Sequence, residues 1–258
     1  MVPKLGGIRV TIKSNKLVTP ALISVVLPGY NEVDYLQPAV EGTIQALKEF
    51  ADSYEIIIAE DGSTDGTSQR AEELAQTIPG VRHIHRDKRL GRGTALNNAF
   101  KQSQGQVLVY MDLDLATNLS YLKPLVEAIT LEGYDFSTGS RMLPESKAER
   151  TFRRSISSKT YNFLVRHMLG SKLQDHQCGF KAFKREPLLE LLDKVEATHW
   201  FWDTEILVRA HRQGFLIKEI AVEWKSGRGT KVNLLKDSWS MLRHIIRLWW
   251  KIKNEEKT

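Results

Sequence analysis

From residue 22 onward, short β-branched runs alternate with longer stretches whose apolar residues recur every three or four positions. The runs 22–27 (LISVVL), 54–59 (YEIIIA), 81–85 (VRHIH) and 107–111 (VLVYM) have strand length and give way to turns rich in Gly, Asp or Asn. Between them, 35–50, 67–77 and 93–103 carry a helical period. That alternation predicts an α/β fold, with a mostly parallel sheet flanked by helices on both faces. Ligands of such sheets bind where the C-terminal ends of the strands open into loops. The second half is less regular. It predicts helices at 119–131, 151–169, 187–193 and 203–213, strands at 136–139 and 217–224, and a final amphipathic helix at 234–253. No repeat and no Pro-, Gly- or Ser-rich linker divides the chain. The expected organisation is a leader or edge segment 1–20, one domain 21–233, and an amphipathic helix with tail 234–258.

Composition narrows the class. The 258 residues are 41% hydrophobic and 26% charged, enough for a sizeable core and an ordinary soluble surface, which excludes disordered and fibrous proteins. The single cysteine, Cys178, excludes an intramolecular disulfide or a Cys-rich metal site, and is expected to pack as a small apolar residue. No apolar run reaches the length of a membrane-spanning helix. The first residues are basic but lack an apolar h-region, so no signal peptide is expected. The net charge of +6 hides an uneven distribution: +7 between Arg141 and Lys184, +5 from Arg228 onward and −6 elsewhere. Two basic patches on an otherwise acidic protein point to an anionic partner.

The candidate chemistry lies in four loops after four strands. Asp112-Leu113-Asp114 follows VLVYM, and residues i and i+2 of an extended chain point to one side. Two carboxylates there suit a hard divalent cation such as Mg²⁺ against a substrate phosphate, although such a pair equally caps a following helix. Glu60-Asp61-Gly62-Ser63-Thr64-Asp65 follows the second strand, and Asp61 is suited to ribose hydroxyls or a base edge as well as to turn formation. Pro28-Gly29-Tyr30-Asn31-Glu32 carries more polar function than a plain turn needs. The cationic loop from Arg86 to Gly93, including Arg92, suits a nucleotide diphosphate, or is a solvated basic loop. The joint pattern is stronger than any one loop.

With these motifs in place, the sequence resembles inverting GT-A-type (Rossmann-like) family 2 glycosyltransferases: VVLPGYNE, EDGSTDGT, the 89–93 loop and MDLDLAT follow that family's order. Downstream, Gly139-Ser140-Arg141, Arg154-x-x-x-Ser158, Asp175-x-Gln177-Cys178-Gly179-Phe180-Lys181, Trp202-Asp203-x-Glu205 and Val222-x-Trp224 with Gly229-Thr230-Lys231-Val232 look like the dolichyl-phosphate glucose and mannose synthases, the glucose branch above all. The resemblance spans about 23 to 250. It implies that Pro28, Tyr30, Glu32 and Asp61 line the nucleotide pocket and that Asp112 and Asp114 hold Mg²⁺ or Mn²⁺. It also implies that Arg141, Arg154, Ser158 and Lys231 bind the acceptor phosphate. Mannose synthases often carry Gln two residues beyond the Asp-x-Asp, where this chain has Ala116.

The residues fit that chemistry on their own terms. Arg153, Arg154, Ser157, Ser158 and Lys159 offer charge-assisted donors suited to a phosphate monoester, or form a solvated helix face. Asp175, set among cations, is expected to orient Lys181 or Arg154 rather than to act as a base. The last helix combines a Lys236, Arg243, Arg247, Lys251 stripe with Trp249 and Trp250, the pattern of an interfacial helix. Leu235, Leu242 and Ile246 are expected to face inward and the tryptophans to face lipid; a terminal helix packed wholly on the core has the same pattern. The expectation is an enzyme transferring a hexose from UDP-glucose or GDP-mannose to polyprenyl (dolichyl) phosphate, peripheral on the cytoplasmic face of a membrane. The alternatives are a family 2 transferase with a saccharide acceptor and a basic nucleic-acid- or membrane-binding module. No zinc-finger or RNP-type motif supports nucleic acid as the partner.

Overall fold

The computed structural model describes residues 21–149, 152–225 and 234–255, with side chains from 155 in the first of the two long basic helices and from 240 in the second. The expected leader 1–20, Lys231 and the Arg154 side chain lie outside the described residues.

The first half alternates as its pattern predicts: β1 (Ile23–Gly29), α1 (Val33–Lys48), β2 (Tyr54–Glu60), α2 (Thr67–Thr77), β3 (Val81–Ile84), α3 (Arg92–Gln102) and β4 (Val107–Met111). A 3-10 turn (Leu119–Tyr121) leads into α4 (Leu122–Thr130), followed by β5 (Phe136–Ser140), β6 (Lys147–Glu149) and α5 (Phe152–Leu169). Then come β7 (Phe180–Lys184), α6 (Arg185–Leu192), α7 (Trp202–Arg212), β8 (Ile217–Ala221), β9 (Glu223–Lys225) and α8 (Leu234–Glu255).

Among the described residues the main sheet has the order β3-β2-β1-β4-β7-β5-β8, all parallel except β7, which runs antiparallel to both neighbours. The pleat divides the strand residues between two apolar layers. Val25, Leu27, Ile56, Ile58, Val109 and Met111 face α1, α2 and α4. Val26, Ile57, Leu108 and Tyr110 face α3, α5, α6, α7 and α8. Each such side chain contributes about 1.5–3 kcal/mol by leaving water, so the sheet is fixed from both sides.

Three expectations need correction. No element is predicted over 180–184, yet β7 lies there, inside the sheet between β4 and β5. Its sequence FKAFK hides this because Lys181 is fully buried, with its ammonium 2.8 Å from Asp203 of α7. The strand expected over 217–224 breaks at Val222, because β9 leaves the main sheet to pair with β6. In α8, Ile245, Leu248 and Ile252 are the buried residues, whereas Ile246, expected inward, is 40% exposed. Leu235 lies outside the described side chains, Trp249 packs against the core and Trp250 is exposed.

Candidate active site

The C-terminal ends of β1, β2 and β4, with the residue that follows β5, bring the expected loops to one rim of the sheet. Parallel register is the cause: Gly29 pairs with Glu60, and Val26 with Tyr110, so the loops leaving β1, β2 and β4 emerge side by side.

The first two loops are sewn together. Asn31 takes a left-handed conformation (φ 55°), donates its N–H to Ser63 Oγ at 3.0 Å and accepts from Thr64 N–H at 2.8 Å. The Glu32 N–H donates to Thr67 Oγ1 at 2.9 Å. Pro28 and Tyr30 are half-buried, and the Arg89 guanidinium stacks 3.8 Å over the Tyr30 ring. Asp61 is buried and accepts from the backbone N–H groups of Leu90 (2.9 Å) and Gly91 (2.8 Å). It therefore anchors the cationic loop; a carboxylate offers about four acceptor sites, so capacity for a ligand remains. Gly62 is required there: at φ +72° any Cβ would come within 2.6 Å of the Arg89 backbone.

The Asp-x-Asp pair stands at the end of β4. Leu113 is buried, but the chain is not extended here as expected. The Leu115 N–H donates to Asp112 O at 3.2 Å and the Ala116 N–H to the Asp114 carboxylate at 3.1 Å, so a turn and not strand alternation brings the two carboxylates near each other. One Asp112 oxygen accepts from the Arg92 guanidinium, which also lies over the rings of Tyr110 (5.2 Å) and Trp200 (4.8 Å). Partial enclosure of the Asp114 carboxyl, and then the neighbouring Asp112 charge, push its pKa up. Antiparallel β7 brings Gly179 opposite: the Asp112 N–H donates to Gly179 O at 3.0 Å, and a Cβ on Gly179 would lie 1.9 Å from an Asp112 oxygen. Two mutually repelling carboxylates, one of them already seeking a cation, form a donor set that fits a hard divalent ion.

Arg141 follows β5 and Asp175 precedes antiparallel β7, so the two meet at the sheet rim. Asp175 is fully buried and accepts from Arg141 Nε at 2.6 Å, Nη2 at 2.9 Å and the backbone N–H at 3.0 Å. Burial disfavours the guanidinium charge, but Asp175 outweighs this and raises its pKa. Asp175 thus orients Arg141 rather than the expected Lys181, while the other expected partner, the Arg154 side chain, lies outside the described residues. Lys181 is instead held by Asp203 and the Cys178 carbonyl, while the Tyr110 hydroxyl donates to Asp203. Burial drives Lys181 down to about 8 and Asp203 up to about 7. Ser158 lies half-buried on α5. Cys178 is a buried free thiol whose pKa burial raises, as suits a packing residue.

Sequence reasoning did not single out Trp200, Gly179 or Glu219. Trp200 is 53% exposed and covers Arg92. Glu219 accepts the N–H groups of Gln174 (2.8 Å) and Asp175 (3.0 Å), fixing the segment that carries Asp175. Only the Asp-x-Gln-Cys-Gly motif hinted at Gly179. Trp224, by contrast, belongs to a quoted motif, and its ring lies 5.5 Å from the Arg141 guanidinium.

A nucleotide-type rim on a doubly covered, mostly parallel sheet defines the class, and comparison with known proteins gives the family. Residues 24–192 match the family described as Glycosyl transferase family 2, and the chain belongs to it. It is 48% identical over 232 residues to glycosyltransferase AglD of Haloferax volcanii, covering 89% of this chain but 37% of that protein. It is 31% identical over 235 residues to the dolichyl-phosphate beta-glucosyltransferase of Homo sapiens, covering 86% of this chain and 72% of that one. Among solved structures, glucosyl-3-phosphoglycerate synthase from Mycobacterium tuberculosis with Mn²⁺, UDP-glucose and phosphoglyceric acid matches with a TM-score of 0.64 at 23% identity. That match covers 90% of this chain and 79% of that one, and is a likeness of fold. The GT-A expectation is met.

Proposed function

We propose that the chain transfers glucose from UDP-glucose to the phosphate of a polyprenyl (dolichyl-type) lipid, with inversion at the anomeric carbon. The observation that carries the reading is the Arg141 guanidinium, aligned by buried Asp175 and close enough to Asp112 to feel its charge. An anion-binding group thus stands beside a pair of cation-binding carboxylates. The activity that the human relative's name states, transfer to dolichyl phosphate, supports the lipid acceptor.

Asp112 and Asp114 would hold Mg²⁺ or Mn²⁺, which when bound neutralises charge on the departing nucleoside diphosphate. Tyr30, with Arg89 stacked on it, Pro28, Glu32 and Asp61 would receive the nucleoside. Arg92 would pass from Asp112 to the diphosphate. Arg141, with Arg154, Ser158 and Lys231, would bind the acceptor phosphate. A phosphate monoester has a second pKa of about 6, so the acceptor is largely dianionic at neutral pH and needs no protein base. The protein's task is alignment for in-line attack, and a single displacement inverts the centre.

The enzyme is proposed to act as a peripheral protein on the cytoplasmic face of a membrane. Among the described residues no helix is long and apolar enough to cross one. Supporting surface attachment, α8 exposes Trp250 and Ile246 beside Arg247. The test is transfer of labelled sugar from UDP-glucose and GDP-mannose to polyprenyl phosphate in detergent, with and without EDTA. Glucose transfer abolished by EDTA and by Asp112→Asn is expected. Transfer only to saccharide acceptors would overturn the reading.

A further inference from the structure

A second cluster of ligand-type side chains lies at the opposite edge of the sheet from β5 and β8, and the reaction proposed above does not use it. His83 and His85 are two apart at the end of β3 and so project on one side, toward α2. Strand pairing places His83 beside Ile58, and hence Glu60 on the same side near His85. One donor atom each from Glu60, His83 and His85 lies within 4.8 Å of the other two.

Ordinary hydrogen bonding explains part of this. The Glu60 side chain is fully buried, accepts from the Ser63 N–H and contacts His85 Nδ1 at 2.6 Å. The other ring nitrogens show a further order. His83 Nδ1 lies 3.1 Å from the Glu72 carboxylate, and His85 Nε2 lies 3.4 Å from that of Asp87. A carboxylate only accepts, so Glu72 fixes the proton on His83 Nδ1 and leaves the lone pair on Nε2. The His83 side chain is only 5% exposed, and its Nε2 is enclosed without a hydrogen-bond partner. A buried imidazole lone pair with no donor is costly unless something else fills it. Metal-ligating histidines recurrently pair one nitrogen with an outer carboxylate and give the other to the ion. His83 has such a carboxylate in Glu72, and the Asp87 carboxylate lies near the outer nitrogen of His85, at 3.4 Å.

We propose that Glu60, His83 and His85 form a second divalent-cation site, separate from Asp112 and Asp114, that takes a borderline ion of the Zn²⁺ class. His83 and His85 would each use the nitrogen not facing its outer carboxylate, and water would complete the shell. Two imidazoles and one carboxylate suit Zn²⁺ rather than Mg²⁺. Donors within 4.8 Å of each other can all lie within about 2.8 Å of a central ion, so ligation at about 2.0–2.1 Å needs movements under about 1 Å. Side-chain rotation supplies that. Because His85 leads directly into the loop anchored by Asp61, the ion would clip the root of the segment that carries Arg89.

The test uses the full chain without a polyhistidine tag, stripped with EDTA, desalted and titrated with Zn²⁺ by calorimetry and with Co²⁺ by visible absorption. One equivalent of Zn²⁺ and ligand-field Co²⁺ bands are expected. The Asp112→Asn/Asp114→Asn protein keeps both. Glu72→Gln weakens binding about 10–100-fold, and His85→Gln weakens it more and removes the bands. His85 is half-exposed, so its replacement leaves the fold intact, which circular dichroism checks. Absence of saturable Zn²⁺ binding would overturn the proposal. So would unchanged binding in His85→Gln, or its loss in the Asp112→Asn/Asp114→Asn protein. None of these readouts depends on sugar transfer.

Discussion

Gly179→Ala separates the geometry of the site from the stability of the fold. Gly179 does not occupy the left-handed region, so alanine meets no backbone strain. Its Cβ would nonetheless lie 1.9, 2.3 and 2.6 Å from the Oδ2, Cγ and Oδ1 atoms of Asp112, where ordinary contact begins at 3.4 Å. The carboxylate must therefore retreat by about 1.5 Å. It is the end of a side chain that is 39% exposed, so it can swing outward at little cost to folding. The departure breaks its contact with Arg92 and would withdraw the proposed cation ligand. A displacement of about 1 Å at a reacting centre costs about 100-fold, so kcat/KM for transfer to polyprenyl phosphate should fall at least that far. Thermal unfolding should shift little, since a surface-accessible adjustment changes stability by about 0.5 kcal/mol or less. Steady-state transfer and the unfolding midpoint, measured on the same preparation, decide the matter. A variant that folds normally and keeps transfer within threefold of the wild type would show that the placement of Asp112 does not govern the reaction.

Two further outcomes follow from buried ionisable groups. Arg141→Lys keeps the charge but cannot reproduce the two-point contact with Asp175; a loss of about 1–3 kcal/mol in urea unfolding is expected, with a rise in KM for polyprenyl phosphate larger than that for the nucleotide sugar. His176 is buried, bonded to Asn162 and Ser171, and burial depresses its pKa to about 3. The unfolded chain, with a histidine pKa of about 6.5, then binds the extra proton first as pH falls, and stability is lost below that value. Between pH 7 and pH 5 this one group should remove about 2 kcal/mol. Urea midpoints across that range should fall less steeply in His176→Gln than in the wild type, and parallel slopes would refute the assignment.

What could be read from the sequence was local. Asp112 and Asp114 were visible because a strand of five apolar residues ends just before them, although a turn closed by the Leu115 N–H, not the strand's alternation, sets their side chains. The loops after β1, β2 and β3 were visible for the same reason. The Arg141–Asp175 pair spans 34 positions and exists because β5 and β7 are antiparallel neighbours. No local pattern marks β7 as a strand, since its buried Lys181 is made tolerable by Asp203, a residue on another element. The seam of α8 was misjudged by one residue, which turns a helix by about 100°. Ile245, Leu248 and Ile252 repeat at helical spacing as well as Leu242 and Ile246 do, and only the core beneath chooses between the two sets.

The buried charges share one arrangement. Arg92 rests on Asp112, Arg141 on Asp175 and Lys181 on Asp203, so these three cations each have a carboxylate before any ligand arrives. An unpaired ion in such an environment would cost several kcal/mol, and pairing lets the site fold around its charges. The pairs differ in what a ligand can disturb. Lys181 and Asp203 are sealed, with side chains 0% and 4% exposed, and serve the fold. Asp112 is 39% exposed and Asp175 not at all, so on the proposed reaction Arg92 is the cation free to exchange its carboxylate for a diphosphate. On the same proposal Arg141 would keep Asp175 and present what remains of its donor set to the acceptor. Donor recognition by exchange and acceptor recognition by a fixed clamp would make sugar-nucleotide affinity sensitive to the divalent ion, while leaving the acceptor's orientation set by the fold.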